Sequence, residues 1–470
     1  MTDFSVYQPP GVYVEEVNQP LVGQVSASTT VVAIVGPSVG YRTSTEVVTL
    51  SDTTAVELAQ QGIDLTTVIV TTLGGVVLEL DEDYALDTDD ADDERETVTS
   101  ISREVGGDIS SGQTVRVAYR YVDTNFHEPL IIRSYDEAES AFGTAFDSTG
   151  AIQSPLTLAS KLAMDNGSGP LMLVSTVGAA SQTTLSNAME KLEAYLDVAI
   201  VVPLPAGMAG TEASPASIIT TAQSLQSHVG SMSSQGHYRV GIYGTDAGVT
   251  VDPATIAANT RSSRMMVAHP NRLLYQNPVT NQTITIGGCY LAAAYAGRFT
   301  SQAVELPLTR RVIAGFSGIS ADAVSRVEDR NNLSAAGVSV AEVNRQRQLV
   351  CRHGVSTETF SFAQREISVV RARDTMMRII EDTLEASAVI GQVVTAETPG
   401  RIRNIVESAL ESLLARGVFA AYQELAARQS RTNPTVIEVK FQYRPAYPIN
   451  YVVVAFSIDA DTGQTTLTAA

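Results

Sequence analysis

Lysine is nearly missing from this 470-residue chain: it stands only at 161, 191 and 440, so the positive charge is almost all arginine. A phosphate-cradling P-loop needs a lysine directly after a glycine. None of the three has one, which excludes Walker-type nucleotide hydrolysis. Cysteine is as scarce. Cys289 and Cys351 could form one bridge at most, and two buried free thiols are expected. Long apolar runs are missing too: stretches such as Thr30 to Val35 and Tyr290 to Gly297 have the length of core elements. A bilayer span needs ~18–20 such residues, so a soluble protein with no direct membrane contact is expected. The opening MTDFSVYQPPGVYVEE carries neither a basic n-region nor a continuous apolar h-region, and assembly in a cytoplasm is expected.

Catalytic and ligand spacings are also lacking. His127, His228, His237, His269 and His353 form no HExxH or other metal pattern, and neither cysteine has another nearby, so no metal and no cofactor are expected. Gly241-Ile242-Tyr243-Gly244 follows a strand signal without completing G-x-G-x-x-G, and reads as a strand-end turn. Gly315-Phe316-Ser317-Gly318 lacks the glycine spacing of a nucleophile elbow. The acidic run Asp87 to Glu96 lacks the glycine and the closing glutamate of a calcium loop and reads as solvated. A non-enzymatic role is favoured. Acids and histidines brought together by folding would still allow an enzyme built on the α/β region, which stays as an alternative.

What is present points to assembly. The chain is 44% hydrophobic and only 17% charged, a composition that suits surface hidden between subunits. Its net charge of −20 is uneven. Residues 1–130 hold 22 acidic and 5 basic side chains, residues 131–260 hold 11 and 4, and residues 261–470 hold 18 and 22. Such polarity lets one part face solvent while another meets a partner. Nucleic acid is not expected as a direct partner, since phosphate binding needs a basic surface. Arginine suits interface ion pairs better than lysine does.

The length calls for more than one domain. Residues 1–22 read as an extended arm, in which Pro9-Pro10-Gly11 blocks helix, Val12 to Glu15 alternates and Pro20 stops the strand. Residues 23–50 bring in a buried strand, Thr29 to Val35, that joins the core. Residues 51–125 show short β segments between Gly turns, with a clear period of two from Thr114 to Tyr121, and are expected to form an inserted β domain. Residues 126–310 alternate strand signals (171–174, 198–202, 240–243, 265–268) with helix signals (155–164, 181–196, 214–229), the pattern of an α/β layer. Residues 311–450 are expected to form a C-terminal α+β domain. It holds a helix from Ile367 with Arg371, Arg373 and Arg378 off its apolar face, a helix from Thr398-Pro399 to Gly417, and a strand from Val436 to Tyr443. Residues 451–470 are a second arm, with a strand signal from Tyr451 to Ile458.

Pro10-Gly11-Val12-Tyr13-Val14-Glu15-Glu16 resembles the P-G-V-Y-x-E-E opening of contractile tail sheath proteins. Further resemblances follow in order: TVVAIVG ending at Gly36, Ile132-Arg133-Ser134-Tyr135 to Phe142-Gly143, GGCYLAAAYAGR ending at Arg298, the helix Val369 to Leu384, Leu413 to Gly417, and Arg444-Pro445 to Tyr451. They span nearly the whole chain outside 51–125, a segment that only some members carry. The resemblance implies a subunit that stacks as hexameric rings in a helical array around an inner tail tube, between a baseplate and a tail terminator. It implies terminal strands donated to neighbours by β-augmentation, here through Val12, Tyr13, Val14, Glu15 and Val17 and through Tyr451, Val452, Val453, Val454 and Phe456. It implies a C-terminal domain against the tube, where Arg401, Arg403 and Arg416 are the candidate contacts, with complementation of the helix macrodipole as their bland alternative. The β domain would then face outward. A tube or capsid-type protein without contraction is the remaining structural alternative, disfavoured by arms at both ends.

Overall fold

A computed structural model describes residues 31–89, 98–123, 127–176, 178–323, 325–458 and 465–468. Its centre is an eight-stranded sheet. In spatial order the strands are Leu349–Cys351, Val338–Val343, Met265–His269, Val240–Tyr243, Val198–Pro203, Val31–Gly36, Leu171–Ser175 and Leu130–Ile132. The six inner strands run parallel and the two edges antiparallel. Runs such as VVAIVG and the LMLV of Leu171–Ser175 are apolar throughout because both faces of such a sheet are covered by helices. One apolar cluster packs helices Pro155–Asp165 and Gly288–Thr300 on one face, and a second packs Gln182–Glu190, Pro215–Ser234 and Pro253–Asn259 on the other.

Local chemistry sets these helices. Ser154 and Ser214 accept a hydrogen bond from the third backbone N–H beyond them, and Asp252 from the second, each just before a proline at the first helical position. Helix Gly288–Thr300 is buried almost all round and lies close against Pro155–Asp165. A Cβ on Gly297 would stand 2.1 Å from the Ala163 carbonyl oxygen, so only glycine fits. Cys289 and Cys351 are both buried and free. No helix among the described residues is long and apolar enough to cross a membrane.

Two strands of the main sheet come from beyond residue 310. Val338–Val343 extends the parallel array, so residues 338–351 belong with the sheet and not with a separate unit beginning at 311. Their signal is weak because Ser339 and Glu342 interrupt the apolar pattern, both buried through side-chain partners.

The small β unit begins earlier than position 51. Tyr41–Leu50 pairs along its whole length with Gln113–Val122, which also pairs with Ile63–Thr72; Val56–Glu57, Val98–Arg103 and Tyr84–Asp89 form a second sheet. The unit has its own core around Val48, Leu50, Ile101, Val115 and Val117, and its ends meet where the Asp123 N–H donates to the Gly40 carbonyl at 2.9 Å. Excising 41–122 and joining Gly40 to Asp123 is therefore expected to leave a soluble body with one cooperative melt. Excising 51–125 strands Val48 and Leu50 without their core and should give an insoluble chain. Equal solubility of the two deletions would refute this boundary.

The third unit packs helices Ile367–Ala386 and Thr398–Ala415 on a hairpin of Ala421–Gln429 with Ile437–Arg444, around Met376, Ile380, Val406, Leu410, Leu413 and Phe419. Its second helix ends in a Schellman turn. Gly417 takes φ 79°, its N–H donates to Leu414, and Val418 N–H donates to Leu413.

Candidate assembly surfaces

An α/β sheet of this kind binds small ligands beyond the carboxyl ends of its strands, where the strand order reverses. Here that point is Val31–Gly36, and it is filled by the chain itself. Leu204 N–H donates to Val35 at 2.7 Å, and a Cβ on Gly36 would meet the Leu204 side chain at 2.7 Å. The nearby cavity lined by Thr245, Asp252, His269 and Asn271 measures about 210 Å³, below the roughly 300 Å³ at which ligand pockets begin. Burial holds His269 near a pKa of about 4, so it is neutral there. Among the described residues no three His, Cys, Asp or Glu side chains gather to hold a metal ion.

Exposed apolar chain is found instead at the C-terminal end. Asn450 Nδ2 donates to Glu366 Oε1 at 2.8 Å, and His353 Nε2 meets the same oxygen at 2.6 Å, so the segment is rooted in the body. On either side of this root Ile449, Tyr451, Val452, Val453 and Val454 are 85%, 82%, 78%, 78% and 66% exposed. The strand expected from Tyr451 begins only at Ala455. Ala455–Ile458, which includes Phe456, pairs antiparallel with Thr465–Thr468. Residues 451–454 pair with nothing among the described residues, and a strand exists only through its ladder. Val12, Tyr13, Val14, Glu15 and Val17 lie outside the described residues.

The three arginines of helix Thr398–Ala415 and its cap differ in setting. Arg401 is exposed and donates to Gln392 Oε1 at 2.7 Å. Arg403 is half-buried, pairs with Glu407 at 2.9 Å and donates to the Leu425 carbonyl. Arg416 is exposed at the C-cap. Only Arg416 can complement the helix dipole, because Arg401 and Arg403 sit in its N-terminal half, where a cation is disfavoured.

Arg371 and Arg373 do not face outward as their spacing suggests; both are buried. Arg371, together with Arg264 and Arg378, joins the α/β body to the third unit. Arg264 grips Asp374 with two bonds of 2.6 and 2.9 Å, Arg378 donates to the Tyr238 carbonyl, and Arg371 donates to the Phe299 carbonyl while lying 4.8 Å from that ring's centre. Burial pulls the Arg371 pKa down to about 10, still charged at neutral pH. No local signal marks this joint, since Arg264 and Asp374 are 110 residues apart.

No family model matches the chain. It is 34% identical over 425 residues to the tail sheath protein of Mycobacterium phage Bxz1, covering 87% of this chain and 71% of that one. Among solved structures it is similar to a chain of the six-fold symmetrised baseplate of the anti-feeding prophage, with a TM-score of 0.58, 14% identity, and 97% of this chain and 100% of that one covered. The contracted helical sheath of the same particle gives a TM-score of 0.57 at 14% identity, with the same coverage.

Proposed function

The chain belongs to the contractile tail sheath protein family, and on that premise we propose that it polymerises as stacked hexameric rings around an inner tail tube and contracts to drive that tube through a target cell envelope. The observation that carries this reading is the exposed apolar segment from Ile449 to Val454, rooted at Glu366. An apolar extended segment with no ladder among the described residues is suited to completion by a sheet edge on a neighbour. Backbone hydrogen bonds then supply affinity, and the linker tolerates large relative motion. Each valine removed from water contributes roughly 1.5–3 kcal/mol. The body it links is stiffened by the buried arginine joint, which suits rigid-body rearrangement.

In this reading residues 1–22 and the chain from 451 onward are arms donated to other subunits. The β unit faces outward, the α/β body forms the ring and the third unit faces the tube. The partners are further copies of this chain, the inner tube, and baseplate and terminator proteins; neither nucleic acid nor membrane is touched directly. Assembly takes place in a host cytoplasm, and the product is the sheath of a phage tail or phage-tail-like particle. Electron microscopy of the purified protein tests this. Hollow striated cylinders are expected, and a protein that stays monomeric or closes into dimers, with or without tube, would overturn the reading. The deletion of 41–122 should still form cylinders.

Replacing Arg401, Arg403 and Arg416 together by Glu is expected to give folded subunits whose polymers no longer enclose tube. Partly exposed pairs worth about 0–1 kcal/mol each hold firmly only when repeated over many subunits, and so can be released on contraction. Normal co-assembly with tube at physiological salt would move the contact elsewhere on the third unit.

A further inference from the structure

We propose that the basic edge of the main sheet in one copy docks on the acidic opposite edge of the next copy; this rests on the self-assembly reading above. The basic edge is a groove between strands Val338–Val343 and Leu349–Cys351 and helix Val327–Ala335. Three guanidiniums converge there on one buried carboxylate. Glu342 Oε1 accepts from Arg310 at 2.5 Å, and its Oε2 from Arg330 at 2.8 Å and Arg352 at 2.7 Å. Arg345 is a fourth arginine in the lining and is exposed, and no second acidic side chain lines the groove among the described residues. One carboxylate against four arginines leaves a local excess of positive charge. Arg310 holds a left-handed backbone at φ 63°, uncommon for a non-glycine residue, and its side chain is 65% exposed. Val327 and Val343 stand exposed beside it.

At the other edge of the same sheet lies Leu130–Ile132, followed by helix Tyr135–Phe142. Glu128, Asp136 and Glu137 are exposed there with Ile131 and Arg133, and Lys161, half-exposed and paired with Asp165, lies over the Tyr135 ring. The two edges thus match in charge and in apolar content. Arginine forks suit carboxylates, and desolvated charge pairs of this kind couple strongly across interfaces. A small anion would meet the charge but leave the valines in water, and nucleic acid is repelled by a chain of net charge −20. Because the two surfaces differ, the contact is head-to-tail and generates rings or helices.

The scarcity of lysine makes a test specific. Arg345→Lys subunits are assembled from isotopically light and heavy copies, treated with a zero-length carbodiimide and mapped by mass spectrometry. Expected are mixed light–heavy cross-links from position 345 to Glu128, Asp136 or Glu137. Arg345→Glu should raise the concentration needed for cylinders by about tenfold, the size of one coupled pair. Adding Asp136→Arg should restore it, and the melting temperature of the unassembled protomer should stay unchanged throughout. Cross-links only within one copy or to tube, or unaltered assembly of Arg345→Glu, would overturn the proposal while leaving sheath formation intact. Absence of cylinders from the unaltered chain would instead overturn the self-assembly reading.

Discussion

A chain carrying Val452→Asp and Val454→Asp is expected to fold as the unaltered protomer does and to form no cylinders. Both side chains are mostly exposed in the single subunit, so their replacement should shift its stability by no more than about 0.5 kcal/mol. Alternate residues of a strand point to one face, so positions 452 and 454 would enter the same apolar surface of a neighbour's sheet. Burying an unpaired carboxylate there costs several kcal/mol per site, and the loss recurs at every subunit contact. Assembly is thus lost in an all-or-none way while the protomer is untouched. Sedimentation and negative-stain microscopy read the first effect, and thermal unfolding of the protomer reads the second. Cylinders formed at the usual concentration would show that residues 451–454 remain in solvent and that subunits are linked elsewhere.

The main sheet was legible where its inner strands are nearly continuous apolar runs, and was missed at Val338–Val343, where Ser339 and Glu342 break the run. Strand signals at 171–174, 198–202, 240–243 and 265–268 coincide with the observed strands to within a residue or two, and Ser-Pro marks helix Pro215–Ser234. Edges and hairpins were not. Tyr41–Leu50 is largely threonine, serine and charge, and its pairing is fixed by Gln113–Val122 far along the chain. Ala421–Gln429 is built of helix formers such as Ala, Glu, Leu and Arg, yet forms a strand. Its partner and the core beneath override propensity, and a register shift with Glu424 at φ 57° accommodates the mismatch. The apolar run after Pro448 was legible as a segment but not in its pairing, since its strand begins at Ala455 and not at Tyr451. The ion-pair joints were not, since Glu342 draws arginines from 310, 330 and 352, and such pairings leave no periodic trace.

Replacing Asp374 by Ala is expected to be the most destabilising single change at a polar position of the body. Asp374 is 8% exposed and takes both arms of the Arg264 fork, with Arg373 a further 3.3 Å away. Removing the carboxylate leaves the poorly hydrated Arg264 guanidinium without its counter-charge between the sheet and helix Ile367–Ala386. Breaking one side of a buried pair in this way costs about 3–5 kcal/mol, read as a fall in the denaturant midpoint. Replacing both partners by apolar residues of similar volume, Arg264→Met with Asp374→Leu, should recover much of that loss, because neither charge then remains buried. If the single change costs under about 1 kcal/mol, the joint is held by packing around Met376 and Tyr238 instead of by charge. The expected result also bears on contraction. On the proposed contraction, a subunit turning as one body would carry force between the main sheet and the third unit. The directional grip of Arg264 on Asp374 resists shear at that joint, which apolar contacts alone permit.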